Sequence, residues 1–148
     1  MASNYAEVIN YQRKFSLDLE QWTRFTTRAI KAVRSQTQDA RTEVTIAFIS
    51  DRRMRNLNQQ YRGVNRTTDV LSFPVDPSIP LVVVNYLGDI AVSIERAERQ
   101  ARWAGISLDS EIAQLILHGL LHLYGFDHET DNGEMNRIEL NLRRKLRI

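Results

Sequence analysis

The chain contains three histidines, and all lie within eleven residues: His118, His122 and His128 of HGLLHLYGFDH. Residues four apart on a helix share one face, with Cβ atoms about 5 to 6 Å apart, so His118 and His122 can aim their imidazoles at a single point. Gly125 can take a left-handed conformation that ends the helix and turns the chain back, bringing His128 to the same point. Three neutral imidazoles around a divalent ion leave a coordination position open, which is the arrangement of a catalytic rather than a structural zinc site. The alternative makes the three rings separate core or capping groups. Two imidazoles on the buried face of a nearly all-apolar helix would then need partners that the neighbouring leucines cannot provide. There is no cysteine, so thiolate zinc sites, iron–sulfur clusters, disulfides and a cysteine nucleophile are excluded, and any metal must use nitrogen and oxygen ligands.

The skeleton HxxxHxxGxxH is shared with metzincin proteases, but those carry Glu directly after the first histidine as general base. Here that position is Gly119. A zinc peptidase reading loses its proton acceptor, and another hydrolysis is expected. Asp127, Glu111 and Asp89 are acid or base candidates by residue type alone, and each is better accounted for as a capping, turn or metal-supporting residue.

The elements that must carry these residues follow from hydrophobic periodicity. Leu19, Trp22, Phe25, Ala29 and Val33 predict an amphipathic helix over 17–34. EVTIAFIS, 43–50, predicts a strand, and Met54, Leu57 and Tyr61 a short helix ending near Gly63 with Arg62 at its exit. DVLSF, 69–73, predicts a strand stopped by Pro74. Further strands are expected over 81–84 and 87–93, with the Gly88–Asp89 pair marking an irregularity or turn. A helix over 94–103 is closed by Gly105, and Ser107 caps the next, over 108–124, with Asp109 and Glu111 in its first turn. The apolar residues of that helix cover most of its circumference, which predicts a central, buried element. Met135, Ile138, Leu142 and Leu146 outline a last helix. The expected fold class is α+β: a single domain over 1–148 with a small mixed sheet, and helices packed around the central helix that carries the HxxxH pair. Trp22, Trp103, Phe25 and Phe48 fall on core periodicities. Tyr61 and Tyr124 adjoin the proposed site, and Met135 reads as packing in its helix.

The 148 residues suit one core of ordinary size. The charge of +2 is too small to name a nucleic-acid partner. Its distribution is more informative: the first 80 residues carry 12 basic against 8 acidic side chains, the remainder 8 against 10. Arg52, Arg53, Arg55, Arg62 and Arg66 stand against Asp51 alone, and Arg143, Arg144, Lys145 and Arg147 close the chain. The opening residues lack the apolar stretch of a signal peptide, and the longest apolar run, 112–123, falls short of the roughly 20 residues of a membrane span. A cytoplasmic protein with no membrane partner is expected.

Three separated blocks carry a family resemblance: LNQQYRG with TTDVLSFP (57–63 and 67–74), LGDIAVS (87–93) and HGLLHLYGFDH (118–128). Together they resemble the YbeY-type rRNA maturation factors, which are single-strand-specific metallo-endoribonucleases. The resemblance implies that His118, His122 and His128 hold one Zn²⁺ per chain. It further implies that Arg62 is the basic residue of the active cleft. Arg62 is then expected to bind the phosphate, and Arg66, among the surrounding arginines, to hold the RNA backbone. The resemblance also implies single-stranded RNA, the 16S rRNA precursor, as substrate, with 3′-end maturation and ribosome quality control on the small ribosomal subunit. A zinc hydrolase of peptides, and a non-enzymatic assembly module whose metal only ties the central helix to the following loop, are the alternatives.

Overall fold

The structure, a computed structural model, describes residues 5–75, 85–127 and 132–148. Among them, in chain order, run β1 (Ala6–Asn10), α1 (Leu19–Arg34), β2 (Glu43–Ile49), α2 (Asp51–Arg62), β3 (Val70–Pro74), β4 (Tyr86–Ser93), α3 (Ile94–Ala104), α4 (Leu108–Leu123) and α5 (Glu134–Leu146). The sheet order is β1-β2-β4-β3. β1, β2 and β4 are parallel, and β3 pairs antiparallel with β4 at the edge. This is the expected α+β class with a mixed sheet.

α1, α2, α3 and α4 start where short polar side chains satisfy one of their first free N–H groups. Asp18, Ser50, Ser93 and Ser107 each accept a hydrogen bond from the backbone three residues on. Ser50 and Ser93 sit immediately after or at the end of a strand, so β2 runs into α2 and β4 into α3 with no loop between. The β2–β4 ladder slips by one residue, Glu43 pairing with Tyr86 but Val44 with Gly88. Gly88 has φ +140, and a Cβ there would run into the carbonyl oxygen of Phe73 on β3. The irregularity expected at LGDI is this bulge.

Strand alternation divides the core. Val44, Ile46, Phe48, Ile90 and Val92 face α1 and α4, where Trp22 meets the Phe48 ring edge-on at 6.2 Å. Ile49, Leu71 and Ala91 point the other way, against Met54 of α2. α4 lies between the sheet, α1, α3 and α5, and Ile116, Leu117, Leu120 and Leu121 are fully buried. Each such side chain contributes about 1.5–3 kcal/mol. The expectation of a central apolar helix holds.

One strand has no counterpart in the sequence reading, and one expectation fails. β1 was not foreseen in the sequence, because AEVIN is five residues at a sheet edge and acquires its strand character from pairing with β2. Trp103, expected in the core, is 92% exposed. α3 buries Ile94, Ala97 and Ala101, and Trp103 falls off that stripe. The strand expected over 81–84 lies outside the described residues.

Candidate metal and phosphate cleft

His118 and His122 lie one turn apart on α4 and emerge side by side. Their ring centroids are 4.6 Å apart at 76°, and their Nε2 atoms are 3.0 Å apart. Two imidazole nitrogens bound tetrahedrally to one zinc at about 2.0–2.1 Å stand about 3.3 Å from each other. The observed separation therefore fits a shared cation, and both donors are of the type that borderline-soft divalent ions take. His128, the third imidazole expected here, lies outside the described residues. Among the described residues no group of three or more His, Cys, Asp or Glu is gathered around an ion-sized point.

Behind His118 stands a residue missed in the sequence. Glu139 of α5 approaches His118 Nδ1 with Oε1 at 2.6 Å, and its Oε2 accepts from Arg143 Nη2 at 2.9 Å. Glu139 is buried. Its signal was present in the chain: Met135, Glu139, Leu142 and Leu146 form one helical stripe, so a carboxylate sits on the face that otherwise enters the core.

The histidines open into a cleft of about 510 Å³ whose other wall is β3 and the segment before it, including Thr68, Asp69 and Ser72. Arg62 reaches the same cleft. It is the last residue of α2, and Gly63, at φ +68, ends the helix there. Polar side chains anchor the TTDVLSFP block to α2 and α3. Thr67 and Ser93 donate their hydroxyls to Asp51 Oδ1, and Arg99 pairs with Oδ2. Burial raises the Asp51 carboxyl, but the bonds from Thr67, Arg99 and Ser93 outweigh it and hold the group below its ordinary value. Asn58 donates to the Arg66 carbonyl at 2.8 Å. Asp69 accepts from the Val70 N–H at 2.8 Å and from Gln100 at 3.2 Å.

Arg66 does not share the cleft. It lines a separate groove of about 500 Å³ with Arg52 and Arg55. Among the acid or base candidates, Asp89 is on the opposite sheet face, where it accepts from the Tyr86 hydroxyl. Burial and Asp89 push that hydroxyl up to about 12. Glu111 stands two turns before His118 on α4, and burial together with the Asp69 charge raises its carboxyl. Tyr61 packs edge-on against Phe73 and lines the opposite-face groove. Tyr124 is buried and donates to the Arg41 carbonyl at 2.6 Å. Neither tyrosine lines the histidine cleft.

Gly119 has a structural reason. A Cβ there would stand 2.9 Å from Ile90 Cγ2 and 3.2 Å from Ser72 Oγ. The helix face beside His118 lies against the sheet, where a protease-type glutamate has no room.

Fold and cleft together define an α+β protein with a helix-borne imidazole pair facing an arginine. The chain matches the family described as Endoribonuclease YbeY over residues 7–147, and it belongs to that family. The protein named Endoribonuclease YbeY in Nautilia profundicola is 44% identical over 108 residues, covering 72% of this chain and 73% of that one. The protein of the same name in Koribacter versatilis is 44% identical over 124 residues, 84% and 74% of the two chains. The solution structure of TM1509 from Thermotoga maritima matches with a TM-score of 0.62 at 25% identity, covering 95% of this chain and 88% of that chain. The family match runs through α1 and α5, beyond the three sequence blocks that carry the resemblance.

Proposed function

We propose that residues 1–148 form a single metal-dependent endoribonuclease domain that hydrolyses phosphodiester bonds in single-stranded RNA. The observation that supports this best is the convergence of the His118 and His122 Nε2 atoms on a cleft that Arg62 also lines. Relatives sharing 44% of aligned residues are named endoribonucleases. His118, His122 and His128 would hold one zinc ion. When bound, it supplies Lewis acidity to the scissile phosphate and makes attacking water available near neutral pH.

Arg62 binds the phosphate. Its planar fork of donors matches two phosphoryl oxygens, and it stabilises the extra negative charge of the pentacoordinate transition state better than an ammonium would. Arg66, with Arg52 and Arg55 beside it, contacts the RNA backbone away from the reacting bond and adds salt-sensitive affinity. The substrate in the cell is the 16S rRNA precursor on the small ribosomal subunit, and the role is 3′-end maturation and ribosome quality control in the cytoplasm. Among the described residues no helix is long and apolar enough to cross a membrane.

The test is cleavage of single-stranded and duplex RNA by wild type, Arg62→Ala and His122→Ala, with zinc content measured on the same samples. Wild type is expected to carry zinc and cut single strands, and both folded variants to lose cleavage. Hydrolysis of a peptide library in place of RNA would support a peptide hydrolase. Unfolding on chelation, with no cleavage beforehand, would support the assembly module.

A further inference from the structure

α5 enters the family match but none of the motif blocks, and its buried stripe contains one carboxylate. Glu139 bridges two elements, meeting Arg143 one helical turn ahead at 2.9 Å and His118 on α4 at 2.6 Å. The Arg143 guanidinium is always protonated, so it stabilises Glu139 as an anion. An ionised carboxylate can only accept. The hydrogen between Glu139 and His118 therefore belongs to Nδ1, and the lone pair of the neutral ring belongs to Nε2, the atom that faces His122.

We infer that Glu139, backed by Arg143, is the positioning residue of the centre: it locks His118 in the Nδ1–H tautomer, fixes the ring plane and so sets how tightly the imidazole pair holds a cation. The inference deepens the metal reading above and rests on it. A carboxylate on the far nitrogen also makes an imidazole a stronger donor, and loss of such a partner typically weakens metal binding 10–100-fold. α5 is then part of the cleft machinery although none of its residues lines the cleft.

The experiment uses the full chain and two variants, Glu139→Ala and Glu139→Gln, the second keeping the volume and one acceptor oxygen. Two readouts are taken: zinc affinity by competition with a chromophoric chelator, and the His118 tautomer from ring-nitrogen chemical shifts of the metal-free protein. Wild type is expected to be Nδ1-protonated. Glu139→Ala should lower zinc affinity 10–100-fold and mix the tautomers, with Glu139→Gln between the two. Circular dichroism identifies any variant that fails to fold, and Glu139→Gln keeps the test decisive if the alanine variant does not. Wild-type affinity and an unchanged tautomer in a folded variant overturn the inference. If wild type takes up no zinc, the metal reading falls, and the tautomer alone decides whether Glu139 positions His118.

Discussion

Ser72 on β3 donates its hydroxyl to the carbonyl oxygen of Gly119 on α4 at 3.2 Å, joining the edge strand to the helix one residue from His118. The bond crosses a close contact, in which a Cβ at position 119 would push against Ile90 and Ser72. It fixes the depth at which the imidazole pair stands behind the β3 wall of the cleft.

Gly119→Ala should destabilise the fold by about 1–3 kcal/mol, because the added methyl must displace Ile90 and Ser72 within a packed interior. Gly119→Glu, which would restore the protease-type motif, should cost more and create no peptidase. Denaturant unfolding of both variants checks the order, and an alanine variant as stable as wild type would contradict the close approach.

Arg62 and Arg66 should separate kinetically, since they line different grooves. Arg62→Ala is expected to lower turnover of single-stranded RNA by about 10²-fold or more, the usual scale for one lost transition-state donor. Arg66→Ala should raise KM more than it lowers kcat, and should reduce the slope of log affinity against log salt by about 1. Equal effects on turnover would place both arginines at the reacting phosphate.

Asp51 joins α2, the Thr67 segment, Ser93 and α3, and its carboxyl is held below the ordinary value. Such a group contributes stability above its unfolded pKa near 3.8, and the contribution is lost as pH falls through the lower folded value. Asp51→Asn should cost about 1–3 kcal/mol near neutrality, the scale of a disrupted charged hydrogen-bond set. Melting curves should show the gap from wild type shrinking below pH 4. A gap unchanged at pH 2 would remove charge as its source.

Glu111 carries the opposite sign. Its carboxyl is raised by burial and by Asp69, so ionising it opposes folding above its ordinary pKa of 4.5. Glu111→Gln is expected to raise the melting temperature at pH 7, with the gain vanishing as pH drops below about 4.5. If the variant instead melts lower than wild type at pH 7, the carboxylate is a net stabiliser of the α4 N-terminus.

Much of the scaffold was legible because it is local. The Ser107 cap, the acids of the first turn and the apolar residues around its circumference specify α4 within sixteen residues, and the i, i+4 spacing places His118 and His122 on one face wherever that helix packs. Pairings between distant segments were not legible in this way. Asp89 is adjacent to Ile90, yet strand alternation sends one side chain to the open sheet face and the other toward α4. Trp103 has the apolar character of a core residue, but its side of α3 is exposed.

From its own letters the chain commits to the helix, the imidazole pair, the absence of thiolate chemistry and the family blocks, all of which depend on neighbours within a few residues. Folding adds the rest. It brings Glu139 to His118 across 21 positions, places Arg62 in their cleft and Arg66 outside it, and leaves no space at Gly119. The physical reason is range: helical periodicity and capping act over one or two turns, whereas a carboxylate meets an imidazole on another helix only after the shared core has set the distance between them.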